Sequence, residues 1–177
     1  MKKLLLLLTM CLLLTACKMD KPEDEVNNLF KKYQSLSEEV LTDLELTAEV
    51  SAFNEEEKKD YIKAIEKQYT DLEYKITNSE TNADKSVVTV NITVYDYYKA
   101  QKDAENYMND NTSEFIEDGI FNSEKLLDLK IKNMMDTKER VEYTLNIDLT
   151  KDEKWTIDKL SSETLKKIHG TYNYENN

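Results

Sequence analysis

Val141, Tyr143, Leu145, Ile147 and Leu149 are apolar, and Glu142, Thr144, Asn146 and Asp148 between them are polar. In an extended chain successive side chains point to opposite faces, so this strict alternation makes a strand with one dry face and one wet face. The apolar face resumes at Trp155 and Ile157 after the polar stretch from Thr150 to Lys154, which predicts a hairpin. A second hairpin announces itself earlier. Leu72, Tyr74 and Ile76 alternate with polar residues, the segment from Asn78 to Lys85 is polar except for Ala83, and Val88, Val90, Ile92 and Val94 alternate with Thr89, Asn91 and Thr93. Strands buried on both sides would be apolar throughout, so the pattern calls for an antiparallel sheet covered on one face.

The cover must come from helices, and the period of the remaining apolar residues supplies them. From Pro22 to about Leu46, residues Val26, Leu29, Phe30, Tyr33, Leu36, Val40, Leu41 and Leu44 recur at three and four, which predicts one long helix. Asn54 followed by Glu55, Glu56 and Glu57 is a helix start, and Tyr61, Ile62, Ile65 and Tyr69 form the stripe that follows. The stretch from Tyr97 to Met135 reads as helical with breaks near Asn109–Thr112 and at Gly119, its last piece capped by Asn122. A short helix from Ser161 to Ile168 stops at Gly170, and the tail beyond is expected to fray. The expected fold is α+β, an antiparallel sheet of about four strands with helices packed on one face. A chain of 177 residues makes one such domain and hardly two.

The start of the chain is of a different kind. Lys2 and Lys3 precede an apolar run from Leu4 to Leu14, and the run ends in Leu14-Thr15-Ala16-Cys17. A positive start, a short apolar stretch and small residues before a cut make a secretory signal. The run is too short to span a bilayer, which takes about 20 apolar residues. Its ending resembles a bacterial lipobox, and that resemblance implies a diacylglyceryl group on the Cys17 thiol and cleavage in front of it. The alternative is an ordinary secretory signal in which Cys17 has no role. The lipobox reading divides the chain into a signal peptide (1–16), a lipidated tether (17–23), one α+β domain (24–170) and a tail (171–177). Cys11 would be removed and Cys17 consumed, which leaves no thiol for a disulfide or a thiolate metal site.

Charge narrows the partners. The chain carries a formal charge of −12, and loss of Lys2 and Lys3 takes it to −14, so nucleic acid is disfavoured as a partner and an anionic leaflet repels the body of the protein. Two acyl chains hold a protein on a membrane where one is marginal. The lipid on Cys17, not charge, is therefore the expected membrane contact. Arg140 is the sole arginine among 24 basic residues, a bias of AT-rich genomes. With the lipobox it points to a low-GC Gram-positive bacterium and to the outer face of its cell membrane.

The opening helices, the Lys-Trp-Thr-Ile-Asp run at Lys154–Asp158 and the lipoprotein start resemble small Gram-positive lipoproteins of unknown function. Their domains are similar to the NTF2-like, or cystatin-like, fold. The resemblance covers residues 24–170, with Ile168-His169-Gly170-Thr171-Tyr172 as its most distinctive string. The long helical insertion departs from the simplest layout of that fold and leaves strand order open. The resemblance implies a pocket between sheet and helices. The alternation then places Val90, Ile92, Val94, Tyr143, Leu145, Ile147 and Trp155 on the pocket side, along with Val88, Val141 and Ile157.

Enzymes of that fold resemble ketosteroid isomerases or polyketide cyclases and use an Asp or His in the pocket. None of the pocket-side residues titrates near neutral pH, as a general base must, and Asp148 and Asp158 fall on the wet side. His169 is the sole histidine, too few for a zinc site or a triad, and is expected as a helix-end residue favoured by the dipole. The acidic runs Asp20–Glu25, Glu55–Glu57 and Asp152–Glu153 lack the spaced ligands of a calcium loop. With two glycines the chain has no phosphate-binding loop, and no cofactor is expected. Tyr95, Tyr97 and Tyr98 either stack on a sugar or peptide or close the end of the core. The expected function is a non-enzymatic, membrane-anchored extracytoplasmic domain that binds a small apolar ligand, an envelope peptide or a protein partner. Two alternatives stand beside it: a small NTF2-like enzyme using Asp96 or Asp148, and a structural or immunity-type envelope lipoprotein without a ligand.

Overall fold

The computed structural model describes residues 20–49, 51 and 53–175, so Cys17 and the signal segment lie outside the described residues. The elements run α1 (Pro22–Gln34), α2 (Glu38–Glu49), α3 (Glu55–Thr70), β1 (Glu73–Asn82), β2 (Lys85–Tyr95), α4 (Tyr97–Asp110), a 3₁₀ turn (Thr112–Phe115), β3 (Ile116–Glu117), β4 (Ile120–Phe121), α5 (Ser123–Asp136), β5 (Arg140–Lys151), β6 (Trp155–Ile157) and α6 (Ser162–Ile168). The fold is α+β, with an antiparallel four-stranded sheet in the order β1-β2-β5-β6. Chain order and spatial order agree, and the α4–α5 insertion closes the connection from β2 to its neighbour β5. No helix among the described residues is long and apolar enough to cross a membrane.

Register explains why the alternation is so clean. Val88, Val90, Ile92 and Val94 of β2 stand opposite Ile147, Leu145, Tyr143 and Val141 of β5, so apolar side chains pair with apolar ones across the ladder. The opposite face of β5, from Glu142 to Asp148, is exposed at every second position. On the dry face, Val26, Phe30 and Tyr33 of α1 and Ala64, Ile65 and Tyr69 of α3 bury the sheet, with Phe30 stacked on Tyr74 at 4.7 Å. Trp155 and Ile168 complete the core from the other end.

The single long first helix expected from the spacing is in fact two. The backbone N–H of Leu36 bonds to the Tyr33 carbonyl and that of Ser37 to the Lys32 carbonyl, with Leu36 at φ 50°, a Schellman stop that ends α1. Helix α1 also begins at Pro22, inside the stretch read as tether, and the Asp20 carboxylate accepts the Trp155 backbone N–H at 2.9 Å. Within the tail expected to fray, Tyr172 and Tyr174 pack onto the domain. Tyr172 sets its ring edge-on to Tyr143, and the Tyr174 hydroxyl donates to the Asp96 carboxylate at 2.9 Å.

Candidate ligand cleft

The seven strand residues assigned to a pocket are packed into the interior. Val90, Ile92 and Val94 have no exposed surface, and Tyr143, Leu145, Ile147 and Trp155 are buried under the helices. Trp155 also lines a cleft beside Lys154, Thr156 and Ile157. The sheet face that an NTF2-like pocket would use is here filled by α1 and α3.

A largely apolar cleft lies on the helical side, where α1, α2, α3 and α6 meet. It measures about 380 Å³ and is lined by Tyr33, Val40, Asp43, Leu44, Leu46, Thr47, Tyr69, Leu165 and His169. Each wall follows from local sequence. Because α1 stops at the Leu36 turn, α2 leaves at a new angle and presents Val40, Leu44 and, one turn on, Thr47 at helical spacing. Leu46 stands at the mouth, 60% exposed. Tyr69 comes from the last turn of α3, and His169 is the C-cap of α6.

Three aromatic groups share the floor. Tyr33 and Tyr69 lie 4.8 Å apart between ring centroids, Tyr69 and His169 5.7 Å apart, and the Tyr69 hydroxyl is 2.9 Å from Nε2 of His169. Burial pushes the His169 imidazole down to about 4, the reverse of the dipole-favoured cation expected at a helix end. The ring is therefore neutral at pH 7, and its Nε2 shares a hydrogen bond with the Tyr69 hydroxyl. Burial, reinforced by Asp43 and Glu39, lifts the Tyr33 hydroxyl to about 12, and burial lifts that of Tyr69 higher still. At neutral pH the floor thus carries uncharged polar groups, and Asp43 is the one charged side chain in the lining.

The other candidates fall elsewhere. Tyr97 is core, with its hydroxyl donating to the Ala64 carbonyl at 2.7 Å. Tyr95 is half-buried, bonds Asp71 at 2.7 Å and carries the Lys67 ammonium 3.2 Å above its ring. Tyr98 packs edge-on against Tyr174. Asp96 is buried but occupied: it caps α4 through the Lys99 N–H at 2.9 Å and accepts from Tyr174. Asp148 is exposed on the wet face of β5. Among the described residues no group of three or more His, Cys, Asp or Glu side chains is gathered to hold a metal ion.

Sequence reasoning passed over the helical cleft because Tyr33, Tyr69 and Val40 read as ordinary stripe residues. The signal that could have found it is the meeting of polar-tipped aromatics with the lone histidine, and that meeting spans 100 residues of chain between Tyr69 and His169. No family model, no curated protein and no solved structure matches the chain. The reading of the cleft rests on its own geometry.

Proposed function

We propose that this chain is a non-enzymatic extracytoplasmic lipoprotein, anchored through Cys17, whose domain takes up a small, largely apolar ligand in the cleft between α1, α2, α3 and α6. One observation carries the reading. The cleft of about 380 Å³ is apolar along Val40, Leu44, Leu46 and Leu165 and closes on the neutral polar tips of Tyr33, Tyr69 and His169. That combination of an apolar wall, a few convergent polar groups and a volume of some hundreds of Å³ is what small-molecule sites provide. Asp43 at the rim favours an uncharged ligand over an anionic one.

The non-enzymatic part is supported by the protonation states. An imidazole held near 4 is a feeble base at neutral pH, and phenols at 12 or above are poor nucleophiles there. The lipobox pattern at Leu14–Cys17 and the resemblance to NTF2-like lipoproteins support the anchored, extracytoplasmic setting.

Titration of the protein lacking its leader (residues 18–177) with the neutral dye Nile red tests the cleft. Leu46→Asp changes an exposed residue and leaves the fold intact. It should weaken dye binding at least about tenfold, since one buried leucine is worth about 1.5–3 kcal/mol. No dye uptake by the folded wild-type protein, or equal uptake by L46D, would overturn the assignment.

A further inference from the structure

The cleft between α1, α2, α3 and α6 has an electrical sign as well as a shape. Helix α2, which builds one of its walls, carries Glu38, Glu39, Asp43, Glu45 and Glu49 and no lysine or arginine. Two of these carboxylates are answered from neighbouring helices, Glu39 by Lys32 at 2.6 Å and Glu49 by Lys58. Asp43 is the charged member of the lining, and it is exposed and has no ion-pair partner among the described residues. The lining thus holds a negative charge that the protein's own cations leave uncompensated.

The aromatic floor is a second, independent attraction for a cation. Tyr33 and Tyr69 are inclined at 58° with centroids 4.8 Å apart, and Tyr69 and His169 at 54° and 5.7 Å, so three rings meet without lying flat on one another. A ring face attracts a cation within about 6 Å of its centroid, more strongly where water is excluded. Elsewhere the chain fills such positions itself: Lys67 lies 3.2 Å above the Tyr95 ring and Lys167 4.8 Å above that of Tyr172. No lysine or arginine among the described residues lies over Tyr33 or Tyr69. The Tyr33 hydroxyl is also without a hydrogen-bond partner among the described residues, whereas that of Tyr69 is bonded to His169. After burial, the charge of Asp43 is the largest influence raising the Tyr33 hydroxyl, as expected of a carboxylate and a phenol that share one cleft.

We propose, resting on the reading of this cleft as a ligand site, that the ligand it prefers is an alkylammonium amphiphile, an apolar chain that ends in a protonated amine. The ammonium would lie against the Tyr33 ring below Asp43, donating to the carboxylate and to the phenol oxygen, and the chain would follow Val40, Leu44 and Leu165. A carboxylate head in the same place would set like charge against Asp43. A hydroxyl head would forgo both the ion pair and the attraction of the rings.

Decylammonium, decanol and decanoate share one chain and differ in the charge of the head, so they separate sign from apolarity. Each is titrated, below its micelle concentration and at low ionic strength, against Nile red bound to residues 18–177, which carry every described element from α1 to α6. Decylammonium should bind at least about tenfold more tightly than decanol, and decanoate more weakly than either. Asp43→Asn, at an exposed position, should cut the preference for decylammonium over decanol at least about fivefold, and Asp148→Asn on the wet sheet face should change it less than about twofold. Equal binding of decylammonium and decanol, a preference that survives in D43N, or equal losses in D43N and D148N would overturn the assignment of charge and leave the cleft standing. Absence of Nile red uptake would remove the cleft and this ligand class together.

Discussion

His169 ties the end of α6 to the last turn of α3 and makes the fold sensitive to acid. Its imidazole titrates near 6.5 when the chain is unfolded and near 4 in the folded protein, where burial disfavours the cation. Above pH 6.5 both states hold the ring neutral, so it adds no pH dependence. Between pH 6.5 and 4 the unfolded state takes up the proton first, and stability falls by as much as about 3 kcal/mol across that window. Urea denaturation at pH 7 and pH 4.5 should show this loss, and His169→Gln, whose amide can donate to or accept from the Tyr69 hydroxyl, should lose the part of the slope that belongs to the ring. An unchanged slope in H169Q would place the acid sensitivity on other groups. Gln68 does comparable work without a charge. Fully buried, it accepts the Tyr95 N–H at 2.8 Å and donates to the carbonyls of Tyr95 and Ile168 at 3.3 and 3.4 Å, and so satisfies backbone groups where α3, β2 and α6 meet.

Two helices end in the same way with different residues. At α6 the Gly170 N–H reaches the Lys167 carbonyl and the Thr171 N–H the Lys166 carbonyl, with Gly170 at φ 71°. Its carbonyl then takes the Tyr98 N–H at 2.7 Å, and a Cβ there would run into the Tyr95 carbonyl oxygen and Nε2 of Gln68. Gly170→Ala should therefore cost about 2–4 kcal/mol, from left-handed strain and overlap together, read as a lower midpoint in guanidinium. Glycine at that position made the stop of α6 legible from sequence. At α1 the same motif uses Leu36, a residue that carries no turn signal, and the apolar spacing runs on through Val40 and Leu44, so the break was invisible. The two hairpins, the Asn54 and Asn122 caps and the interruption at Gly119 were legible because each rests on neighbours in sequence. Asn54 accepts from Glu56 and Glu57, and Asn122 from Lys125, as their spacing requires. The helical cleft was not legible, since it depends on the angle between α1 and α2 and on contacts between Tyr69 and a residue 100 positions away. Alternation identifies which strand face is dry, and it cannot say whether helices fill that face or leave it hollow.

At the scale of the molecule, charge and the proposed anchorage would pull in opposite directions. With the proposed leader removed the body would carry −14 and be repelled by anionic lipid, so any retention at a membrane would have to come from the proposed acyl chains on Cys17. Cys17→Ala should release the protein from the membrane fraction or leave it unprocessed, and fractionation followed by mass analysis distinguishes the two. Retention of a processed C17A protein would refute the lipid attachment. The bond from Asp20 to the Trp155 backbone bears on how such a protein would be moored. With the chain already fastened to the sheet edge at Asp20, three residue steps separate it from Cys17, a leash of about 10 Å at full stretch. Tyr33, on the floor of the apolar cleft, lies about 16 Å along α1 from Pro22. Whatever the tilt of the domain, the mouth of that cleft would patrol a layer within roughly 30 Å of the headgroups. Its ligand would then be met at or close to the lipid surface.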